Sequence, residues 1–262
     1  MRNAILVGAL VLAFIGSQAG EAGALGLEVA AGGWQQDPTG FIASENLTVN
    51  DRIDLERDAR LDQETRAMVR AKIDIPLPLI PNIYLMATPM QFEDTGLKTT
   101  NFTFGGVQFN AATPFVTDVT LNTFDIGFYY NLPFMATATV DKLNVELGLN
   151  ARIVDFDGQV TGRDTITNTT VTSTESFTLP IPMIYLGVQV KPIDLIALEG
   201  EVRGISFSGN DYYDLIARLR VNAFGPLFFA GGYRHQQLTL AEEGVNADVE
   251  IKGPFLEAGF AF

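Results

Sequence analysis

The residues with chemistry to offer are charges set at even intervals. Arg66, Arg70, Lys72 and Asp74 fall in one segment, Glu146 and Arg152 in a second, and Glu199, Glu201 and Arg203 in a third. Asp214, Arg218 and Arg220 follow, then Arg234 and Glu257. A period of two puts such residues on one face of a strand. Charges of both signs sharing an inward face can pair and fill a narrow interior, because buried charges need partners. They can also form a constriction that selects solutes by charge.

A second group surrounds His235, the single histidine of the chain. Ser206, Ser208, Asp211 and Glu242 are expected near the same rim. A hydrolase needs a base within hydrogen-bond reach of its nucleophile, and a further group to orient that base. The spacing alone arranges neither, so a rim hydrolase is the weakest of the functional readings. A third group is acidic: Asp51, Asp54, Glu56, Asp58, Asp62 and Glu64, with Arg52, Arg57 and Arg60 between them. These form either a self-paired, solvated surface or oxygen ligands for a calcium or magnesium ion bridging lipopolysaccharide phosphates. Their spacing is not that of an EF-hand loop.

Composition narrows the field further. With no cysteine among 262 residues, disulfides and thiolate metal sites are excluded, and one histidine excludes any site that needs two imidazoles. A formal charge of −14 and a pI near 4.4 argue against a nucleic-acid partner. Neither cofactor nor metal is expected. Mean hydropathy is nevertheless +0.17, high for so acidic a chain.

The elements that position these charges explain the hydropathy. Met1-Arg2-Asn3 starts the chain with a positive charge, Ala4 to Ile15 is an apolar run, and Ala22-Gly23-Ala24 fits a small-x-small cleavage site. Residues 1–24 are therefore expected to be a signal peptide, with Ser17-Gln18-Ala19 as a second cleavage candidate, and 25–262 the mature unit. The run is too short to cross a bilayer as a helix and lacks a basic stop-transfer flank. Removing Arg2 and Glu21 leaves the net charge at −14 (−14 − 1 + 1).

Beyond residue 24 the pattern alternates throughout. Leu143, Val145, Leu147, Leu149, Ala151 and Ile153 share one face, opposite Asn144, Glu146, Gly148, Asn150 and Arg152. Similar alternation predicts strands at about 25–34, 64–75, 82–92, 117–132, 142–155, 177–190, 194–207, 211–223, 226–239 and 247–262. Most are longer than the five or six residues usual in soluble sheets, and match the roughly 9–11 that span a bilayer at a tilt. Compact connections alternate with long polar ones at 35–63, 93–116 and 156–176. Short turns on one side and longer loops on the other belong to an all-β, up-and-down antiparallel transmembrane barrel with periplasmic turns. The expected count is ten, with eight or twelve as alternatives because Phe102 to Phe109 could add a hairpin arm.

Aromatics lie near strand ends, where a membrane interface favours them: Phe124, Phe128, Tyr130, Tyr212, Tyr213, Phe228, Phe229, Phe260 and Phe262. In the last strand Leu256, Ala258, Phe260 and Phe262 share one face. A terminal Phe with alternating apolar residues is the pattern read by the barrel-assembly machinery, which is the expected partner beside outer-membrane lipid and lipopolysaccharide.

Several stretches carry a resemblance. They are Trp34-Gln35-Gln36-Asp37-Pro38-Thr39-Gly40, Asp54 to Asp58, Pro76 to Asn82, Phe102-Thr103-Phe104-Gly105-Gly106-Val107 and Pro180-Ile181-Pro182-Met183-Ile184-Tyr185. Tyr213-Asp214-Leu215, Gly232-Tyr233-Arg234, Ala247 to Glu250 and Gly253 to Leu256 continue it, up to the C-terminal Phe. Together they resemble a group of proteobacterial outer-membrane β-barrel proteins. That resemblance implies a fold and the cell outer membrane, and carries over no functional residues. The expected function is accordingly a structural barrel or a narrow passive conduit rather than an enzyme. The alternative is an uptake channel for a small hydrophobic or weakly charged solute.

Overall fold

The computed structural model describes residues 25–44, 51–132, 142–242 and 245–262. The proposed leader and part of the connection at 133–141 lie outside the described residues. Among the described residues fourteen strands follow in chain order. They are β1 (Gly26–Ser44), β2 (Ile53–Asp54), β3 (Glu64–Asp74), β4 (Asn82–Thr88), β5 (Gln91–Leu97), β6 (Phe102–Phe104) and β7 (Val107–Phe109). Then come β8 (Pro114–Asn131), β9 (Leu143–Arg163), β10 (Thr170–Ile193), β11 (Ile196–Phe207), β12 (Asn210–Phe224), β13 (Leu227–Glu242) and β14 (Val245–Ala261).

Neighbours in sequence pair antiparallel, and β14 returns to pair with β1, from Glu28↔Ala261 to Ser44↔Val245. The sheet is a closed ten-strand barrel. Its third stave is made of two strands end to end, since β4 and β5 both pair with β8. Pro89, which has no N–H to give a ladder, lies in the break. There Asn122 Oδ1 accepts from the Met90 N–H at 3.3 Å, and Met90 O accepts from the Leu121 N–H at 2.8 Å. The Phe102 to Phe109 region is a hairpin, β6–β7, but forms a separate two-stranded sheet rather than two more staves.

The strands are longer than the sequence suggested. Those at 142–155 and 177–190 extend to Arg163 and back to Thr170, so most of the expected 156–176 loop is wall. β1 likewise runs on to Ser44. Polarity inverts along the way. On β9 the outward residues are Leu147, Leu149 and Ile153 low in the wall, then Asp155, Asp157 and Gln159. The inward ones are Glu146, Asn150 and Arg152, then Val154, Phe156 and Val160. β8, β13 and β14 change over at the same level, at Phe124/Asn122, Tyr233/Gln237 and Leu256/Lys252 on their outer faces. The barrel therefore has two storeys. The lower is apolar outside and charged inside, and the upper is polar outside and apolar inside.

Both ends of the described chain and the compact turns lie at the lower end. The Leu27 N–H donates to Phe262 O at 3.1 Å, and the Phe262 N–H donates to Leu27 O at 2.8 Å. At the other end β11 and β12 meet in a two-residue turn, Ser208-Gly209. Both residues adopt positive φ (54° and 86°), as a type I′ hairpin requires.

Candidate functional site

The lower storey is filled by one connected set of ion pairs. Arg70 bridges Glu257 (2.8 Å) and Glu28. Glu28 also meets Arg220 (2.5 Å), which lies 3.7 Å from Glu199. Arg218 joins Glu199 (3.3 Å), Glu201 (3.0 Å) and Glu257 (3.8 Å). Lys72 meets Glu146 at 2.9 Å and Glu201 at 3.9 Å. Arg203 links Glu201 (2.6 Å) to Asp214 (3.6 Å), which also binds Arg234 (2.8 Å) and Arg152, and Arg152 reaches Asp125 at 2.8 Å. Seven cations thus face seven carboxylates: Arg70, Lys72, Arg152, Arg203, Arg218, Arg220 and Arg234 against Glu28, Asp125, Glu146, Glu199, Glu201, Asp214 and Glu257.

Twelve of the fourteen charges proposed from sequence lie in this set. Arg66 and Asp74 do not. Arg66 sits where β3 emerges, donating to Gln91 O at 2.9 Å, with Glu64 at 3.8 Å. Asp74 lies at the opposite, lower rim and accepts the Tyr129 hydroxyl at 2.8 Å. Glu28 and Asp125 were missed. Each has uncharged inward neighbours, Ala30 and Gly32 for Glu28 and Thr123 and Gly127 for Asp125, and only its parity marks it as inward.

Aromatic rings seal the spaces between charges. Tyr84 stands across the ladder from Gly127, and Tyr129 and Tyr185 both stand across from Gly148. A Cβ on Gly148 would collide with the Phe128 carbonyl and the Tyr129 Cα, so that glycine lets the β8 backbone come close. The Arg203 guanidinium lies 4.4 Å from the Tyr84 ring centroid and 5.1 Å from that of Tyr185. Each cation–π contact of this kind adds roughly 0.5–2 kcal/mol, more when desolvated. Above this level Arg234 covers Trp34 at 4.7 Å, and the Trp34 Nε1–H donates to Gly253 O at 3.1 Å.

The upper storey is lined by carbon. Leu55, Leu61, Phe92, Val119, Leu121, Phe156, Phe177, Leu238, Leu240, Val249 and Ile251 surround a void of about 40 Å³. Its roof is the acidic segment, folded inward over the barrel. Ile53, Leu55, Ala59 and Leu61 are buried there. Gly40 O accepts from the Leu55 N–H (2.9 Å), and Asp58 O accepts from the Leu97 N–H (2.9 Å). Asp58 Oδ2 receives Lys98 Nζ at 2.5 Å, and Asp51 Oδ1 receives the Thr103 N–H at 2.8 Å. Partial burial raises the Asp54 carboxyl pKa, but the Arg57 guanidinium (2.9 Å) and N–H (2.8 Å) outweigh it and hold it below its ordinary value. These carboxylates are thus engaged within the protein rather than clustered as free ligands. Among the described residues no group of three or more acids or imidazoles is placed to hold a metal ion. The β6–β7 hairpin completes the roof, with Phe102, Phe104 and Phe109 buried and Gly105 O accepting from Ser173 Oγ at 3.1 Å.

His235 does not face the lumen. It lies on the outer wall, paired with Leu215 and Lys252, and its nearest acid is Glu250 at 3.8 Å. Ser206 and Asp211 face each other further up the neighbouring hairpin, so the expected rim group is not gathered around the imidazole. On the last strand Leu256, Ala258, Phe260 and Phe262 all point outward and are exposed.

No protein-family model and no curated protein sequence matches the chain. Among solved structures it is similar to the translocator domain of the autotransporter NalP from Neisseria meningitidis (11% identity, TM-score 0.47, covering 98% of this chain and 95% of that one). It is also similar to Ail, the attachment invasion locus protein of Yersinia pestis (8%, 0.34, 90% and 98%). A third is a mutant of the TodX monoaromatic hydrocarbon channel (8%, 0.36, 90% of each chain). At these scores the likenesses say nothing of chemistry, which rests on the chain's own residues.

Those residues are decisive about the surroundings. From Leu143 to Ile153, ten steps of about 3.3 Å at a tilt near 40° give an apolar wall roughly 25 Å tall, the height of an outer-membrane belt. Up to the level of Leu149 and Ile184 the described sheet has no edge, as hydrocarbon demands of a spanning backbone. A closed wall that is apolar outside and ion-paired inside inverts the polarity of a water-soluble barrel, and the chain is an integral outer-membrane β-barrel protein.

Proposed function

We propose that this barrel does not conduct: it spans the membrane as a sealed, mechanically stable cylinder rather than as a porin. The buried layer of seven cations and seven carboxylates carries the reading. It crosses the whole lumen from Arg70 on β3 to Arg152 on β9 and Asp214 on β12, with aromatic rings in the gaps. An ion passing through would have to part several buried pairs, each of which leaves an uncompensated charge in the interior when it loses a partner. A ten-stranded barrel is also close to the size that side chains fill by themselves.

The belt meets outer-membrane lipid. The C-terminal strand is proposed to be the segment that the assembly machinery engages, and the polar upper storey the part that meets lipopolysaccharide. The mature chain is proposed to begin after a cleaved leader. No cofactor is invoked. Conductance of the refolded protein in a planar bilayer tests the central claim: only rare, small events are expected. Large and steady openings would overturn it.

A further inference from the structure

Neighbouring staves part in two places among the described pairings. Above Val69↔Ala87, β3 is not paired with β5, but that gap is lined by Glu64, Gln91, Glu93 and Asp94 and crossed by Arg66, which donates to Gln91 O. The other seam is apolar. β10 and β11 are joined from Ile193↔Ile196, through a register shift, up to Ile184↔Gly204, and there the ladder stops although both strands continue. β10 remains paired to β9 all the way to Thr170↔Arg163, and β11 to β12 as far as Phe207↔Asn210. The reason is in the sequence. The Lys191 N–H donates to Lys142 O on the β9 side. Backbone groups alternate along a strand, so the even-numbered residues of β10 face β11. Two of the next ones up are Pro182 and Pro180, which have no N–H to offer.

The side chains confirm that the wall is open there. Met183 and Tyr185, on the lumen-facing parity of β10, are buried, yet Leu179 on the same parity is 41% exposed. On β11 Arg203 is buried, while Phe207 on its parity is 73% exposed. Ile181 and Ile205, between these, pack against the apolar core of the upper storey. Ile184, the last paired residue, is level with Leu149 and Pro180 with Ile153, the last apolar residue on the outer face of β9, so the seam opens within the upper part of the lipid belt and runs through its top.

We propose that this seam is a lateral portal, through which an unbranched hydrocarbon chain passes from the outer leaflet into the upper chamber and is held there. The roof blocks entry from outside the cell and the ion layer blocks exit to the periplasm, so the side is the remaining route. The void of about 40 Å³ has room for the end of a chain and not for the ~150 Å³ that accommodates a benzene ring, so a slender tip enters and the side chains around it must yield to the rest. Phe156 and Phe177, stacked at 4.9 Å on β9 and β10 and lining the void, are the side chains that must swing to admit it. The chain is either the tail of a membrane lipid or a free alkyl compound dissolved in the leaflet.

Trp34 is the single tryptophan, buried in the lumen beneath the chamber, so its fluorescence reports what enters. Full-length mature protein in nanodiscs is given brominated quenchers in two arms: phosphatidylcholine brominated on its acyl chains, and free 1-bromododecane. Continuing the β10–β11 register would set Pro182 opposite Ser206, and the chain has no native cysteine. P182C/S206C is therefore compared oxidised and reduced in each arm. Loss of most of the quenching on oxidation and its return on reduction is expected. Loss in the lipid arm alone identifies a lipid tail, loss in the free arm alone identifies a dissolved alkyl compound, and loss in both assigns both. The variant P180T/P182T, which restores two backbone donors and extends the ladder without a crosslink, gives the same loss if the seam is the route. Quenching unchanged by P180T/P182T, or equal in oxidised and reduced P182C/S206C, overturns the portal. Neither readout depends on conductance, so the portal and the seal fail separately.

Discussion

Asp125 and Arg152 are direct partners across the β8–β9 ladder, bonded through Oδ1 and Nε at 2.8 Å and Oδ2 and Nη2 at 2.9 Å, and both are fully buried. Arg152 then crosses the lumen to Asp214 on β12. Asp125→Ala leaves the guanidinium with one partner in a water-poor interior, and a loss of about 3–5 kcal/mol is expected. Arg66→Ala, at the rim, is expected to change stability by less than about 1 kcal/mol. Urea unfolding of refolded protein in micelles, followed by the fluorescence of Trp34, measures both. Equal losses would mean that the lumen charges are hydrated.

The storey boundary is tested from outside. Leu149 is exposed in the lower storey and Asp157 faces outward in the upper one. In phospholipid vesicles, Leu149→Arg is expected to cost about 2–4 kcal/mol, as for a cation near the bilayer midplane. Asp157→Arg, in water, stays within about 0.5 kcal/mol. A similar cost at the two positions would displace the belt.

Phe262 points outward at the lower interface, stacked on Phe260 at a centroid distance of 6.3 Å. Near an interface, Phe262→Asp should cost at most about 1 kcal/mol in folding. If the residue is read during assembly, its outer-membrane abundance in cells falls far more than its heat-sensitive gel shift after refolding in detergent. Mild and equal effects in the two assays would make Phe262 a packing residue only.

Chelation separates the two readings of the acidic segment. Asp51, Asp54 and Asp58 already accept hydrogen bonds from Thr103, Arg57 and Lys98. Adding EDTA to the purified protein is expected to leave its melting temperature unchanged. A drop of several degrees, reversed by calcium, would restore the cation-bridging reading.

Intact mass of protein recovered from outer-membrane fractions is expected to match a chain starting at Leu25, or at Gly20 if the earlier site is cut. Retention of Met1 in that fraction would contradict the leader.

The barrel was legible because alternation survives in every stave, and the lumen charges because their neighbours at even spacing are also charged. Asp125 escaped because the inward residues beside it, Thr123 and Gly127, carry no charge, although Phe124, Ile126 and Phe128 fix its parity. Glu28 is hidden in the same way by Ala30 and Gly32. The strand ends were misplaced for a different reason. At Val154 the apolar set moves from odd to even positions while the period stays at two, so a change of surroundings reads as the end of a strand. The roof carries no periodic signal at all: its buried Ala59 and Leu61 are turned in by local bonds to Asp54 and Leu55, and the turn is tied to the barrel where Leu55 bonds Gly40 and Asp58 bonds Leu97 and Lys98.

Glu201 lies within 4 Å of Lys72, Arg203 and Arg218, and Asp214 serves Arg152, Arg203 and Arg234 in the same way. Neither acid has a partner of its own to leave with. Over evolutionary time such a lumen cannot drift one residue at a time, because the first loss takes a shared partner from three cations that belong to different strands. Homologues should therefore fall into discrete charge arrangements, with Glu201 and Asp214 exchanged only alongside changes on β3, β9, β11, β12 or β13, while the outward leucines beside them vary freely.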